Sequence, residues 1–289
     1  MIPSMQFSFF ATRYLFTSPS QQSKAFMIAS YPMPYFNSVV LFCVFCIVLM
    51  SHVSSSLKLF GFPGSSTANR VRIALAIKKI PYEFVLVDFK GGEHLTAEYA
   101  KTKNPINQIP ILELDDGTLL RQSLPIIEYL EEAYPSSPSL LPLAQDPVAR
   151  ARVREVAEIF NSFIQPLQNK IVVEKVATLD PEFAKWLPLA VKAHLEGAKH
   201  ESDTVPDFWP QQWICKGFSA VEKLLDNEGP YCFGDTVTLA DCCVVPQVIG
   251  AKLYQIPVEE MYPKVWRVFQ AVTALESVKE GLHDILSKL

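Results

Sequence analysis

Leu57-Lys-Leu-Phe-Gly-Phe-Pro-Gly-Ser-Ser-Thr-Ala-Asn-Arg-Val-Arg-Ile-Ala-Leu75 decides how the rest of the chain is read. It opens with alternating apolar residues that predict a short strand. It then passes through a Gly/Pro turn and closes with Val71, Ala74 and Leu75 at the spacing of a helix. Three consecutive hydroxyls, Ser65, Ser66 and Thr67, fall where the turn becomes the helix. There the first backbone N–H groups lack partners and the macrodipole presents partial positive charge, so an anion is favoured. One hydroxyl serves as the N-cap in the simplest reading. In the sharper one, a second donates to a ligand thiolate or oxyanion and lowers its pKa.

Working outward, the first helix should end near Lys79, with Pro81 just beyond, and Tyr82 to Val87 alternates as a second strand. Residues 88–94, with Gly91-Gly92, read as a loop and 95–102 as a short helix. Asn104-Pro-Ile-Asn-Gln-Ile-Pro110 then predicts a constrained turn into the strand 111–114, with Pro110 a candidate cis proline. Asp115-Asp-Gly-Thr118 is a hairpin turn before a strand 119–121. Gln122-Ser-Leu-Pro125 opens a third helix through Tyr134, with Ser123 in the N-cap position. This order describes a small α/β unit over 57–135.

Residues 136–147, within the Pro- and Ser-rich run from Pro135 to Pro147, read as a linker. From 148 to 289 only helical periodicity is found, with helices expected at 148–177 (kinked at Pro166), 182–199, 208–227, 239–252, 261–273 and 275–288. Thr238-Leu-Ala-Asp241 is a capping-box pattern that we assign to folding.

Composition limits the function. The chain has 289 residues, and two of its 26 basic side chains, Arg13 and Lys24, lie in residues 1–56, which hold no Asp or Glu. The remainder therefore sets 24 basic residues against 30 acidic ones, a net of about −6 with no Lys/Arg run. That balance points away from nucleic acid and toward small molecules or protein partners. The six cysteines show no disulfide-framework spacing; Cys43-Val-Phe-Cys46 has the C-x-x-C spacing but lies inside an apolar run with no His cluster nearby, so no metal is expected.

Residues 1–56 contain an apolar run from Val39 to Met50, shorter than a bilayer-spanning helix. It reads as a membrane anchor or secretion signal, as an organelle-directed leader, or as sequence upstream of a true start at Met50. No Asn-x-Ser/Thr sequon occurs, which favours a non-secreted product and, with a start at Met50, a cytoplasmic one. Membrane association is expected only if 1–56 is expressed.

A four-stranded α/β domain, a Pro-rich linker and an all-helical domain resemble the soluble glutathione transferases over residues 57–289. Gly64-Ser-Ser-Thr-Ala-Asn-Arg-Val-Arg-Ile-Ala-Leu75 is similar to the catalytic turn of the zeta class, also called maleylacetoacetate isomerase. Ile164-Gln-Pro-Leu-Gln-Asn169 and Ala240-Asp-Cys-Cys-Val-Val-Pro-Gln-Val248 look zeta-like too. Lys58-Leu-Phe-Gly-Phe-Pro-Gly-Ser-Ser-Thr-Ala68, with Gly92-Glu-His94, looks equally like the phi class.

The resemblance implies a thioredoxin-like amino-terminal domain with a four-stranded mixed sheet, glutathione as co-substrate, an electrophilic small molecule as second substrate, and a homodimer. It implies that Ser65 donates to the glutathione sulfur, with Ser66 and Thr67 near it. Ile109, before Pro110, would pair its backbone with the tripeptide. Gln122 and Ser123 would hold the γ-glutamyl end, and His94 and Gln108 would approach the glycyl end and backbone. Gln165 and Asn169 would face the second substrate or the sulfur. The apolar side chains Phe160, Phe163 and Tyr254 are candidates to line the second site, although aromatic residues at helical spacing are more often core.

Two departures shape the chemistry expected. Thr67 stands where zeta enzymes usually carry cysteine, so mixed-disulfide chemistry is not expected. Gly64 stands where many carry arginine, so a dianionic substrate would need another cation, with Lys252, Lys170 and Arg70 as candidates. The reactions implied are glutathione-dependent cis–trans isomerisation, or phi-like conjugation or peroxide reduction. A non-catalytic carrier is the reading from another class.

Overall fold

The computed structural model describes residues 57–179 and 209–288. Residues 1–56, with Cys43 and Cys46, and the helix expected at 182–199 lie outside them. Four strands, β1 (Lys58–Gly61), β2 (Glu83–Leu86), β3 (Ile111–Glu113) and β4 (Leu119–Arg121), form one mixed sheet in the order β2-β1-β3-β4. β1 runs parallel to β2 with Lys58 opposite Glu83, and antiparallel to β3 with Lys58 opposite Glu113. β3 and β4 are the arms of the expected hairpin. Its turn is held by the Thr118 N–H donating to Asp116 Oδ1 at 2.8 Å, with Gly117 at φ 83°.

Between the strands lie α1 (Ser66–Lys78), a 3-10 turn (Glu93–Leu95) and α2 (Ala97–Thr102), and α3 (Ser123–Ala133) follows β4. The expected helix at 95–102 is shorter, because Thr96 caps α2 by accepting from Tyr99 N at 3.1 Å and so fixes its start. This is the thioredoxin-like arrangement. Gly61 ends β1 where the chain turns into α1, and a β-carbon there would stand 2.9 Å from the Phe84 ring and 3.0 Å from the Ala68 methyl. Glycine lets the strand end approach the helix so closely.

The helical part differs from expectation where proline intervenes. A single kinked helix over 148–177 is replaced by α4 (Pro147–Glu158), a π-helical turn (Ile159–Ile164), α5 (Gln165–Gln168) and α6 (Lys170–Leu179). Pro166 has no N–H to give and its ring crowds the preceding turn. The helix widens ahead of it, and the Gln165 N–H bonds to Phe160 O, five residues back. α7 (Trp209–Leu224) and α8 (Leu239–Leu253) follow, then α9 (Val258–Met261), α10 (Pro263–Ala274), α11 (Glu276–Gly281) and α12 (His283–Leu286). The helices expected at 261–273 and 275–288 are thus divided, the first at Tyr262 before Pro263 and the second at Leu282.

The core runs continuously from α1 into the helical layer, because α8 is buried along nearly its whole length and packs on α1. The capping box is present: Asp241 accepts from Thr238 N and Thr238 Oγ1 at 2.7 and 2.6 Å, and from Cys232 N at 2.8 Å. Cys232, Cys242 and Cys243 are buried free thiols whose pKa burial pushes up, which makes them inert packing residues. Among the described residues no helix is long and apolar enough to cross a membrane.

Candidate functional site

The turn from β1 to α1 is built as the hydroxyl pattern suggests. Ser65 is the N-cap of α1, with its Oγ accepting from Ala68 N at 3.2 Å. That bond uses a lone pair and leaves the proton. Ser65 Oγ stands 3.0 Å from Thr67 Oγ1, and Thr67 commits its own proton to Ile109 O at 3.1 Å. Ser65 is therefore the donor of the pair, and capping and donating coexist in one residue. The N–H groups of Ser66 and Thr67, first in the helix, have no backbone partner among the described residues. Ser65, Ser66 and Thr67 are all half-buried, which leaves each accessible from the solvent side of the turn.

Asn69 fixes this turn from behind. Buried, it donates through Nδ2 to Pro63 O at 2.8 Å and accepts from Arg72 Nη1 at 3.2 Å. Arg72 lies over the Phe84 ring at 4.6 Å and is held by Asp284 at 2.6 and 3.3 Å and by Gly281 O at 2.7 Å. A chain of polar contacts thus runs from the carboxyl-terminal helices to the Ser65 turn. Asn69 escapes a sequence reading because one asparagine inside a helix carries no signal of where its amide points.

The approach to Pro110 is equally constrained. The Ile109–Pro110 bond is cis. Gln108 O is held by Asn104 Nδ2 at 2.8 Å and by Tyr99 OH at 3.4 Å, while the Gln108 side chain is exposed. Ile109 gives its carbonyl to Thr67 and its N–H to no backbone acceptor among the described residues. An extended ligand could therefore pair with that N–H.

The third helix starts one residue earlier than expected. Gln122, not Ser123, is the N-cap of α3, with φ 70° and ψ 129° and no side-chain capping bond. Ser123 becomes the first helical residue, and its hydroxyl turns inward to meet Arg70 of α1, whose Nη1 donates to Ser123 Oγ at 3.3 Å. A non-glycine residue at positive φ is strained, a feature that concentrates at functional sites. The exposed Gln122 amide makes no bond to the helix end it caps.

His94 is buried and stacks on Phe89 at 3.8 Å, and Phe89 stacks on Phe62 of the Ser65 turn at 5.8 Å. Burial lowers the imidazole pKa, with Glu93 opposing the shift. His94 Nδ1 has no partner among the described residues.

The residues expected to meet the second substrate are placed less uniformly. Gln165 is half-buried. Asn169 spends its Oδ1 on the N–H of Ile171 at 3.1 Å, starting α6. The two zeta-like segments do meet, but through residues that carry no signal in sequence. Gln168 and Gln247 exchange reciprocal amide bonds of 3.2 and 2.9 Å. Phe160 is core, edge-on to Phe218 at 6.2 Å, the commoner place for an aromatic residue at helical spacing. Phe163 meets Trp213 edge-on at 5.4 Å, and Tyr254 is half-buried.

The three candidate cations are all engaged elsewhere. Arg70 is fully buried and cannot reach a substrate carboxylate directly. Lys252 lies over the rings of Trp266 and Phe269 at 5.1 and 5.3 Å. Lys170 pairs with Glu174 at 3.5 Å. Residue type alone does not locate a free cation, because aromatic rings and helical neighbours capture a lysine as readily as a ligand does.

Residues 59–138 match the family model for the glutathione S-transferase N-terminal domain and residues 190–283 that for the C-terminal domain. The chain is 40% identical over 213 residues to the probable maleylacetoacetate isomerase 2 of Drosophila melanogaster, covering 73% of this chain and 80% of that protein. A solved structure of maleyl pyruvate isomerase, described as a bacterial glutathione S-transferase in the zeta class, superposes with a TM-score of 0.64 at 36% identity, covering 78% of this chain and 95% of that one. Maleylacetoacetate isomerase from Anaeromyxobacter dehalogenans 2CP-1, with bound dicarboxyethyl glutathione and citrate, gives a TM-score of 0.63 at 34% identity, covering 79% and 94%.

Proposed function

The chain belongs to the glutathione S-transferase family, and we propose that it is a zeta-class enzyme whose Ser65 holds glutathione as a thiolate that isomerises a maleyl-type cis diacid such as maleylacetoacetate. The observation that carries this reading is the state of the Ser65 hydroxyl. Its lone pair caps α1, and its proton is directed only at Thr67, whose own proton is already committed to Ile109 O. A sulfur arriving at the helix start can take that proton's hydrogen bond without breaking the cap.

A free thiol with a pKa of about 8.5 is mostly protonated at pH 7. A hydroxyl donor and a helix N-terminus both favour the thiolate. The thiolate adds to one carbon of the cis double bond, forming a C–S bond and placing the electron pair on the neighbouring carbon, where the carbonyl group delocalises it. The former double bond is now single and rotates. Expulsion of the thiolate restores the double bond in the trans geometry and returns glutathione unconsumed.

In this reading Ser66 and Thr67 flank the sulfur, and the Ile109 N–H pairs with the cysteinyl backbone beside Pro110. Gln122 and Ser123 bind the γ-glutamyl end, and His94 and Gln108 lie toward the glycyl end. Gln165 and the amide nitrogen of Asn169 face the second substrate. Lys252 contributes only by leaving its aromatic seat. The same reading includes a homodimer in the cytoplasm. The bound dicarboxyethyl adduct of the Anaeromyxobacter relative supports a diacid as the second substrate.

The test supplies purified protein and glutathione with either a maleyl-type cis diacid or a neutral aryl halide. Isomerisation with glutathione conserved supports the proposal. Conjugation of the aryl halide alone would make this a conjugating transferase, and turnover of neither would make it a carrier.

A further inference from the structure

Arg70 is a fully buried guanidinium, and among the described residues no carboxylate forms an ion pair with it. Burying such a charge without an anion is costly, so its presence asks for a reason. Its donors go to neutral groups. Nη1 is shared between Ser123 Oγ at 3.3 Å and Asn161 Oδ1 at 2.8 Å, and Nη2 donates to Phe160 O at 3.2 Å. Its Nε has no partner among the described residues. Phe160 and Asn161 belong to the π-helical turn ahead of Pro166, where the widened backbone leaves the Phe160 carbonyl available to Arg70 as well as to Gln165. Burial works against the guanidinium charge, and the Glu158 carboxylate nearby favours it without forming an ion pair.

The contact with Ser123 has a direction. Ser123 accepts from Arg70, so its own proton can point away, toward the α3 N-terminus where the first N–H groups also lack helical partners. A cation behind a hydroxyl makes that hydroxyl a stronger donor toward an anion in front of it. We propose that Arg70 is a positioning residue that supplies, through Ser123, the counter-charge for the carboxylate at the γ-glutamyl end of glutathione. This rests on the reading that the γ-glutamyl end lies at Gln122–Ser123. The bound carboxylate would complete a charge pair that the free protein leaves open, and the same guanidinium ties the carboxylate site to the helical layer through Asn161 and Phe160.

The rival is that Arg70 only tethers the π-helical turn to α1. Two ligands separate the two roles: glutathione, and its analogue with the γ-glutamyl α-carboxylate converted to a carboxamide. Dissociation constants for both are measured by calorimetry on the full chain and its R70K, R70Q and S123A variants. The full chain should prefer the carboxylate by about tenfold or more, as loss of a charge-assisted hydrogen bond implies. R70Q and S123A should bring that preference to within about threefold, and R70K, which keeps the charge but loses the planar fork, should fall between.

Equal weakening of both ligands by R70Q, with their ratio unchanged, would make Arg70 a tether and overturn the proposal. Should R70Q fail to fold, R70K decides when measured with and without S123A. A preference that R70K lowers only while Ser123 is present supports the relay. A preference that R70K leaves unchanged, or lowers equally in the absence of Ser123, overturns it. A full chain that binds neither ligand overturns the glutathione reading itself, which is a different failure.

Discussion

Ser65 has two duties that one substitution removes together and a second separates. Ser65→Ala deletes the acceptor that Ala68 N uses at 3.2 Å and the donor that faces Thr67. Loss of an N-cap to alanine costs about 1 kcal/mol, which for a chain of this size lowers Tm by roughly 2–4 °C. Thr67 keeps its bond to Ile109 O, so the turn itself survives. The catalytic loss is larger. A hydrogen bond to a charged group contributes about 1.5–3 kcal/mol, so the pKa of the bound thiol should rise by about 1–2. The helix N-terminus stays and retains its smaller share, about 0.3–1 kcal/mol.

At pH 7 kcat/KM should therefore fall about 10- to 100-fold in Ser65→Ala, while glutathione binding, spread over the whole tripeptide, weakens far less. Ultraviolet absorbance of the bound thiolate, titrated with pH, reads the shift directly. The deficit should shrink as pH rises past the new thiol pKa, because the variant then forms its thiolate unaided. Ser65→Gly isolates the donor: glycine as an N-cap costs only a few tenths of a kcal/mol, so the activity loss should persist with stability nearly restored. A deficit that is constant with pH, or that follows stability across the alanine and glycine variants, would refute the donor role and leave Ser65 a cap.

Asn69→Ala strips partners from Pro63 O and Arg72 and should cost about 1–3 kcal/mol with a drop in kcat/KM, whereas Asp284→Asn, at a partly exposed ion pair, should cost about 1 kcal/mol or less; chemical denaturation and turnover separate them. Gln122→Gly should relieve the strain of φ 70° and raise Tm while weakening glutathione binding, a stability gain that a purely structural residue would give without the binding loss. Burial alone would raise the Glu131 pKa, but hydrogen bonds from Ser139, Leu140 N and the buried Lys78 outweigh it and hold the carboxyl below its ordinary value. Its contribution to stability is present above the unfolded glutamate pKa of about 4.3 and is lost as pH falls through the lower native value. Glu131→Gln, which leaves Lys78 without its anion, should cost about 3 kcal/mol at pH 7 and flatten stability against pH in that acid range, as thermal melts across the range would show.

The strands, the hairpin and the N-cap of α1 are legible in sequence because each rests on local chemistry: alternation at β1 and β2, Asp-Gly between β3 and β4, and a hydroxyl before an apolar period. Pro110 can be named from its neighbours only as a candidate for the cis form, and the meeting of Gln168 with Gln247 leaves no local trace, since both depend on contacts between residues far apart in the chain. The π-helical turn shows the boundary between the two cases. Pro166 announces a disturbance, but a kink and a widened turn accommodate its missing N–H equally well in sequence. The carbonyl of Phe160 chooses between them only once Gln165 and Arg70 are both in reach.

Helix α1 is where residue type is the poorest guide, and its packing explains why. Arg70 and Arg72 are two residues apart and so point away from each other, which in an ordinary amphipathic helix would send at least one to solvent. Here α8 and α3 pack on the helix and α11 closes over another side, so both arginines are buried. Arg72 finds Asp284 and Asn69 and becomes part of the scaffold behind the turn. Arg70 finds only neutral acceptors among the described residues and is, in the proposed relay, a charge awaiting an anion. The same residue type, buried twice on one helix, acquires opposite roles from whether a carboxylate among the described residues pairs with it, and in the proposed relay the one without such a pair acts through Ser123 on the ligand.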